Sequence, residues 1–323
     1  MLRLPRFTPG VPRIDPPRIE GTIPMPRGGC LGFAEFGVPD GRLVLWFHGT
    51  PGGRRQIPPV GRVAAEALGL RLVCVERPGV GDSTPHRYRR FIDVAPDAAA
   101  VADHLGHDQF AVVGLSGGGP YALAAAAGNP DRVPAVGILG GVCPVAGPDK
   151  VPGGGIVALA ARFRAVLGPL RAPLGLLLWA TIQPLVPLSH PAYRLYASRA
   201  PQGDRKVFDD PGIEAMFVDD LVTASRRRFG AIPDDIALFG RDWGFRLAEV
   251  TAPVRWWHGD ADNLVPLSHA EHTIDRLPDC VLHLRPGESH LGGFAAADEV
   301  LTAVAALWPG VSGNGRRASG RGR

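Results

Sequence analysis

Short apolar runs alternate with alanine-rich segments along most of this chain of 323 residues. Six runs are almost continuously apolar and stop at a glycine-rich or polar turn, at residues 43–47, 72–75, 110–113, 136–139, 254–257 and 281–284. Strands that are buried on both faces need such runs, as in a parallel sheet covered by helices. Segments of helical composition accompany them, at residues 60–68, 94–105, 121–127 and 295–307. This order predicts an α/β fold with a mostly parallel central sheet flanked by helices.

The strand pattern stops between residues 143 and 250 and resumes after them. Within that interval the clearest segments, 213–229 and 236–247, have helical composition. We therefore predict a helical cap that is inserted between two strands of one sheet. The predicted division of the chain is a proline-rich N-terminal extension (1–20), the first part of the core (21–145), the helical cap (146–250), the second part of the core (251–310) and a disordered basic tail (311–323).

The positive charge of the chain is concentrated near its end. The net charge is +4, and the stretch after residue 312 holds four arginines and no acid, namely Arg316, Arg317, Arg321 and Arg323. Without those four the rest of the chain is near neutral, which argues against a nucleic-acid-binding face. We therefore expect the partner to be a small molecule.

The cysteines and the apolar segments of the chain indicate in which cellular compartment the protein is expected. The four cysteines show no C-x-x-C spacing, and a disulfide framework is unusual in a domain of this size, which favours a reducing compartment. No apolar stretch of the kind found in a signal peptide follows the first arginines. Arginines and prolines interrupt the apolar segment 156–188, so no run reaches the roughly 18 to 20 residues of a spanning helix. These features predict a cytoplasmic protein without an integral span, and peripheral membrane contact stays open.

One serine lies in a motif that carries chemistry. Gly114-Leu115-Ser116-Gly117-Gly118 matches G-x-S-x-G, directly after a predicted strand and before a predicted helix. A sharp strand-to-helix turn holds the serine in a strained conformation and exposes its Oγ, which requires small neighbours. The N-terminus of the following helix favours developing negative charge. We identify Ser116 as the candidate nucleophile.

A serine nucleophile needs a histidine base, which in this fold comes after the acid in chain order. His290 lies on the loop after the last predicted strand. The other histidines fit this position less well, and His269 and His272 lack the H-E-x-x-H pattern of a helix-borne zinc site. The sequence therefore predicts His290 as the base, with neither a metal nor a cofactor.

Two aspartates are candidates for the acid that orients the imidazole. Asp260 and Asp262 both follow the predicted strand that ends at residue 257, and either could reach a histidine. Aspartate also caps turns readily, so one of the two has an ordinary structural use. We favour Asp262 and keep Asp260 as the alternative.

When a serine nucleophile carries out acyl transfer, it also needs an oxyanion hole, a set of hydrogen-bond donors that stabilises the negative charge on the carbonyl oxygen. One donor is predicted to be the backbone N–H of Gly117, immediately after the nucleophile. The second is predicted to come from the turn after the strand that ends at residue 47, with Thr50 as the first choice and Gly49 as the second. His48 in the same turn is expected to brace the loop.

Taken together, these motifs resemble the α/β-hydrolase superfamily over residues 32–309. The H-G-x-P-G loop at 48–52 is similar to the oxyanion loop of proline iminopeptidase-like hydrolases, and the stretch 77–83 resembles the loop after the next strand. The stretch 259–266, which reads G-x-x-D-x-x-V-P, is similar to the acid motif of the superfamily, and the aspartate of that motif falls on Asp262. Proline iminopeptidases usually carry a tryptophan directly after the nucleophile, whereas this chain has Gly117, and we identify no cap acids that would hold a free amino terminus. Epoxide hydrolases and dehalogenases of this fold use an aspartate nucleophile, which Ser116 argues against.

The leading hypothesis is a cofactor-independent serine hydrolase that cleaves hydrophobic carboxylic esters through an acyl-enzyme. The nearest alternative is a proline-releasing aminopeptidase, followed by a lactonase, a thioesterase or a hydrolase of carbon–carbon bonds. A hydrolase-fold protein that binds a small ligand without turnover is the alternative from a different class.

Overall fold

The computed structural model describes residues 14–153, 173, 176, 177, 179–181, 183–226 and 231–308. Eight strands form one sheet in these residues. They are β1 (Ile19–Pro24), β2 (Cys30–Gly37), β3 (Arg42–Phe47), β4 (Leu70–Val75), β5 (Ala111–Leu115), β6 (Val136–Leu139), β7 (Val254–Gly259) and β8 (Cys280–Arg285). The predicted N-terminal extension and basic tail lie largely outside the described residues, as does most of the apolar segment 156–188.

The sheet is mostly parallel, as predicted, and its strand order is β1-β2-β4-β3-β5-β6-β7-β8. The strands from β3 to β8 are parallel to one another, whereas β2 pairs antiparallel with both of its neighbours, β1 and β4. The sequence analysis missed β1 and β2, and β1 begins at Ile19, before the predicted start of the core. Since the carboxyl ends of parallel strands share one edge, the turns after β3, β5, β7 and β8 come together there.

Helices cover both faces of the sheet. The helices described are α1 (Pro59–Ala67), α2 (Ala95–His104), α3 (Gly119–Gly128), α4 (Ser189–Ala197), α5 (Gln202–Phe208), α6 (Pro211–Ala224), α7 (Ala231–Phe239), α8 (Leu267–Ile274) and α9 (Ala297–Leu307). Strand β3 shows how the two layers are filled. Leu45 and Phe47 pack in the apolar cluster that contains α2 and α3, whereas Val44 and Trp46 pack in the cluster that contains α9. Both faces are buried, and this is why the run is continuously apolar.

Helices α4 to α7 follow β6 and precede β7, and we call them the cap helices. The sequence correctly placed helices in this interval but misjudged their ends. The predicted helix 236–247 is wrong beyond Phe239, where α7 stops. Asp242 Oδ1 accepts the N–H of Gly244 at 2.8 Å, and Gly244 has a φ of 83°. A side chain that bonds its own backbone competes with the helix at this turn.

One helical stretch among the described residues, His290–Leu307, is long and apolar enough by composition alone to cross a membrane. Half of the stretch is buried inside the fold. Its helix α9 packs Val300 and Val304 against the sheet. That packing accounts for its apolar composition.

An ion cluster joins the N-terminal strand to the loop after β3. Glu20 on β1 accepts hydrogen bonds from Arg54 and Arg55 at 2.8 and 2.9 Å. Burial by itself raises the pKa of Glu20, but the hydrogen bonds from Arg55 and Arg54 outweigh it and lower the pKa to about 2. Arg55 also pairs with Asp219 on α6, so the cluster reaches the cap helices.

We expect Glu20→Gln to lower the unfolding temperature in a pH-dependent way. The folded pKa of Glu20 lies below its ordinary value of 4.5, so its stabilisation is fully present above about pH 4.5 and is lost as pH falls toward about 2. Thermal unfolding should be measured between about pH 3 and 7. The difference in unfolding temperature between wild type and variant should be largest near pH 7. Asp131→Asn, at an exposed turn, is the control. A gap that widens on acidification would contradict the prediction.

Candidate active site

Ser116 occupies a strained turn between β5 and α3. Its φ is 50°, and it is the one non-glycine residue with a positive φ in the described part of the chain. The glycines on either side are required by close packing. A Cβ at Gly114 would lie 2.6 Å from the carbonyl oxygen of Gly118, and a Cβ at Gly118 would lie 2.0 Å from that of Phe47. The G-x-S-x-G spacing thus encodes a turn into which larger residues do not fit.

Three predicted site residues form one chain of hydrogen bonds. Ser116 Oγ lies 2.7 Å from His290 Nε2, and His290 Nδ1 lies 2.8 Å from Asp262 Oδ2. His290 is 8% exposed and Asp262 is buried. The second oxygen of Asp262, Oδ1, accepts the N–H groups of Leu264 and Val265, both at 2.8 Å. The carboxylate therefore has a fixed orientation toward the histidine.

The surroundings of Asp262 keep its carboxyl group ionised. Burial by itself raises the pKa of this carboxyl group, but the hydrogen bond and charge of His290 and the N–H of Val265 outweigh it, so the pKa is lowered. Asp260, the alternative acid, has a different use. Its Oδ1 accepts the N–H of Gly287 at 2.7 Å and ties two turns together.

A second histidine, which the sequence analysis did not single out, lies beside the acid. His258 Nε2 is 3.5 Å from Asp262 Oδ2 and 2.8 Å from the carbonyl oxygen of Val265. Trp256 Nε1 donates to its Nδ1 at 3.2 Å, and burial lowers the pKa of His258. A neutral ring that donates through Nε2 satisfies these contacts. Its position at the end of β7, four residues before Asp262, is the sequence feature from which a histidine beside the acid could have been predicted.

The loop after β3 reaches the nucleophile turn. The N–H of Gly49 donates to Gln56 Oε1 at 2.6 Å, so this amide is already engaged within the loop. Thr50 lies against Gly117, since a Cβ at Gly117 would be 2.5 Å from Thr50 Oγ1. The structure therefore brings Thr50 and Gly117 together beside Ser116 and leaves Gly49 as the weaker candidate donor.

His48 braces this loop as a neutral ring. Its Nδ1 lies 2.8 Å from the carbonyl oxygen of Gly49, and its Nε2 accepts the N–H of Arg77 at 3.3 Å. Burial, together with the charge of Arg77, lowers the pKa of His48 well below its ordinary value. The Arg77 guanidinium also donates to the carbonyl oxygen of His48. These contacts join the loops after β3 and β4.

A cavity of about 630 Å³ opens in front of Ser116 and His290. Its walls are mainly apolar, and the cap helices supply much of them. The apolar lining from the cap helices and the loop of His290 comprises Ala192, Tyr193, Tyr196, Phe217, Val218, Leu221, Val222, Leu291 and Phe294. A cavity of this size and composition suits a small apolar molecule.

Two cap acids line the same cavity. Asp204 on α5 accepts the N–H of Leu291 at 2.9 Å, next to the histidine. Asp220 on α6 accepts the N–H groups of Gly53 and Arg55, each at 2.9 Å. Burial is the largest influence on the pKa of both carboxyl groups, raising that of Asp220 to about 7. Both acids thus bond the backbone of loops that belong to the site.

Comparison with known proteins shows the family of this chain. A family model described as the alpha/beta hydrolase fold matches residues 42–292, which is well over half of the chain. The chain belongs to the α/β-hydrolase fold family. The matched range contains Ser116, Asp262 and His290, together with all four cap helices.

Two curated relatives of this α/β-hydrolase are named as proline iminopeptidases. The protein from Arabidopsis thaliana is 31% identical over 120 residues, which is 36% of this chain and 31% of that protein. The protein from Xanthomonas citri is 33% identical over 119 residues, which is 36% of this chain and 37% of that protein. The chain thus matches about a third of the length of these relatives.

Solved structures resemble the α/β-hydrolase over most of its length. An esterase from Exiguobacterium antarcticum is 19% identical with a TM-score of 0.61, and the match covers 89% of this chain and all of that one. A bromoperoxidase from Bacillus anthracis is 19% identical with a TM-score of 0.64, covering 88% of this chain and 99% of that one. At this level of identity the likeness shows the fold alone.

Proposed function

We propose that this α/β-hydrolase is a serine esterase that cleaves small apolar carboxylic esters through an acyl-enzyme. The observation that carries the proposal is the hydrogen-bond chain from Ser116 through His290 to Asp262 at the mouth of an apolar cavity. A serine hydroxyl becomes a competent nucleophile when a correctly oriented imidazole accepts its proton.

The proposed reaction has two stages. Ser116 Oγ attacks the ester carbonyl while His290 Nε2 takes the hydroxyl proton, and the amides of Thr50 and Gly117 stabilise the oxyanion. The tetrahedral intermediate collapses, and His290 gives the proton to the departing alcohol. Water then attacks the acyl-enzyme while His290 takes a proton from it, and the second tetrahedral intermediate collapses as His290 returns that proton to Ser116 Oγ, which releases the acid and restores the enzyme. Asp262 orients the imidazole and stabilises its protonated form.

The cap helices are proposed to cover this site, with the cap extending over residues 146–250 as the sequence predicts. Their apolar side chains would bind the acyl or alcohol group of the substrate. The cytoplasmic location stays a prediction from the sequence.

A proline-releasing aminopeptidase is the second candidate, because the curated relatives carry that name. Two observations favour the esterase. Asp204 and Asp220, the acids that line the cavity, are engaged by backbone N–H groups. At position 117 a Cβ would lie 2.5 Å from Thr50 Oγ1 and 3.0 Å from Phe239 Cζ, so the tryptophan usual in iminopeptidases does not fit.

A fluorophosphonate activity probe tests the proposal directly, because it labels only an activated serine. We expect labelling of the wild type and none of Ser116→Ala. Turnover of p-nitrophenyl esters of increasing acyl length, compared with a prolyl naphthylamide, a lactone and a thioester, then identifies the reaction. Preference for the amide would favour the aminopeptidase. A folded wild type that neither labels nor turns over any substrate would leave the ligand-binding alternative.

A further inference from the structure

Two carboxylates from the cap helices bind the oxyanion loop, which we define as residues 48–55. The first is Asp220 on α6. Its Oδ2 accepts the N–H of Gly53 and its Oδ1 accepts the N–H of Arg55, each at 2.9 Å. Both oxygens of this buried side chain thus hold the second half of the loop.

The second carboxylate, Asp235 on α7, holds the first half. Its Oδ2 accepts the hydroxyl of Thr50 at 2.7 Å and a hydrogen bond from Arg77, while its Oδ1 accepts the hydroxyl of Tyr121 at 2.7 Å. Arg77 also donates to Thr50 Oγ1 and to the carbonyl oxygen of His48. Asp235 is 2% exposed, and these three hydrogen-bond partners, Thr50, Arg77 and Tyr121, belong to the α/β core.

The oxyanion loop needs such restraint because of its own composition. Gly49, Gly52 and Gly53 make its backbone conformationally permissive. An oxyanion donor must lie close to the place where negative charge develops, since a displacement of about 1 Å can cost roughly a hundredfold in rate. Gln56, directly after the loop, engages Gly49 and Pro51. The side chain of Thr50 is instead held by Asp235 and Arg77, which are distant in sequence.

We propose that Asp220 and Asp235 are positioning residues that hold the oxyanion loop in its catalytic geometry, so that the cap completes the oxyanion hole. This inference rests on the proposed hydrolase mechanism. It assigns the cap helices a role in the chemical step in addition to substrate binding. Neither carboxylate touches the substrate carbonyl in this scheme, and both act through the backbone and hydroxyl of the loop.

The test compares Asp220→Asn and Asp235→Asn with the matched control Glu214→Gln. Glu214 is a cap acid on α6 that bonds His190 and Arg194, both on cap helix α4. An amide at 220 turns an NH₂ group toward one of the two loop N–H groups, and an amide at 235 loses one acceptor. We expect kcat for a p-nitrophenyl ester to fall by about tenfold to a hundredfold in both variants, with KM nearly unchanged.

A tetrahedral inhibitor separates positioning from general loss of structure. An alkyl boronic acid forms a tetrahedral adduct with the serine that places an oxygen in the oxyanion hole, whereas the corresponding alkyl alcohol occupies only the apolar cavity. We expect the affinity for the boronic acid to fall in proportion to kcat, while the affinity for the alcohol is kept. Variants that match Glu214→Gln in all three measurements would overturn the proposal. A fall in kcat with unchanged boronic acid affinity would also overturn it.

If the aspartate variants do not fold, the variant Thr50→Val tests the same proposal. Valine keeps the backbone N–H and the shape of the side chain but removes the hydroxyl that bonds Asp235. We expect a fall in kcat and in boronic acid affinity of about tenfold, and Thr50→Ser should recover most of it. A Thr50→Val enzyme with wild-type kcat would overturn the inference. An inactive wild type would instead contradict the proposed function itself, so the two failures are distinguishable.

Discussion

Replacing Ser116 with alanine is expected to lower kcat for ester hydrolysis by about a million-fold, and His290→Ala should cost nearly as much. The two side chains act as one unit, because the hydroxyl is a competent nucleophile only while the imidazole 2.7 Å away accepts its proton. Steady-state turnover of a p-nitrophenyl ester measures both effects. The double variant should be little worse than either single variant.

The controls for these substitutions are an exposed serine and an exposed histidine. Ser198 lies just after helix α4, and His104 ends α2. Ser198→Ala and His104→Ala should keep wild-type kcat and unfolding temperature. Substantial activity in His290→Ala, with the serine still labelled by a fluorophosphonate, would show that another group is the base.

Asp262→Asn is expected to lower kcat by about ten thousandfold without unfolding the protein. The reason lies in the second oxygen of the carboxylate, Oδ1, which accepts the N–H groups of Leu264 and Val265. An asparagine must keep its carbonyl oxygen there, which turns its NH₂ group toward His290 Nδ1. The imidazole is then held in the tautomer that carries its proton on Nε2, and it cannot accept the proton of Ser116.

Asp260→Asn is the matched comparison for this prediction. Asp260 accepts the N–H of Gly287 at 2.7 Å, and an asparagine oxygen can make the same bond. We expect kcat within about twofold of wild type and a small change in stability, on the order of 1 kcal/mol or less. An inactive Asp260→Asn beside an active Asp262→Asn would reverse the assignment of the acid.

Apolar runs predicted the six parallel strands, five of which are buried on both faces. The sixth, the edge strand β8, is apolar in sequence although Val281 and Leu284 are exposed. The same criterion missed the two N-terminal strands. Strand β2 contains Glu35, which is buried but paired with Arg18 and Arg71. Strand β1 contains Gly21 and ends at Pro24, both of which are depleted in strands. A charged residue inside a strand breaks the apolar pattern, and the partners that allow its burial are distant in sequence.

The candidate site was predictable where local backbone geometry demands particular residues. The turn at Ser116 requires glycines at 114 and 118, and that requirement is visible in the motif. The choice between Asp260 and Asp262 was not settled by local pattern, since both follow the same strand. The fold separates them, because one faces His290 and the other faces Gly287.

The sequence by itself determined the class of fold, the edge of the sheet where polar turns gather, and the serine and histidine on that edge. It could do so because strand burial and strained turns leave periodic and local signatures. Only the tertiary structure joined Asp220 and Asp235 to the oxyanion loop. Their hydrogen bonds span more than 160 residues of chain. Such bonds depend on how the cap helices pack on the core. That packing leaves no pattern in the residues that neighbour each aspartate in sequence.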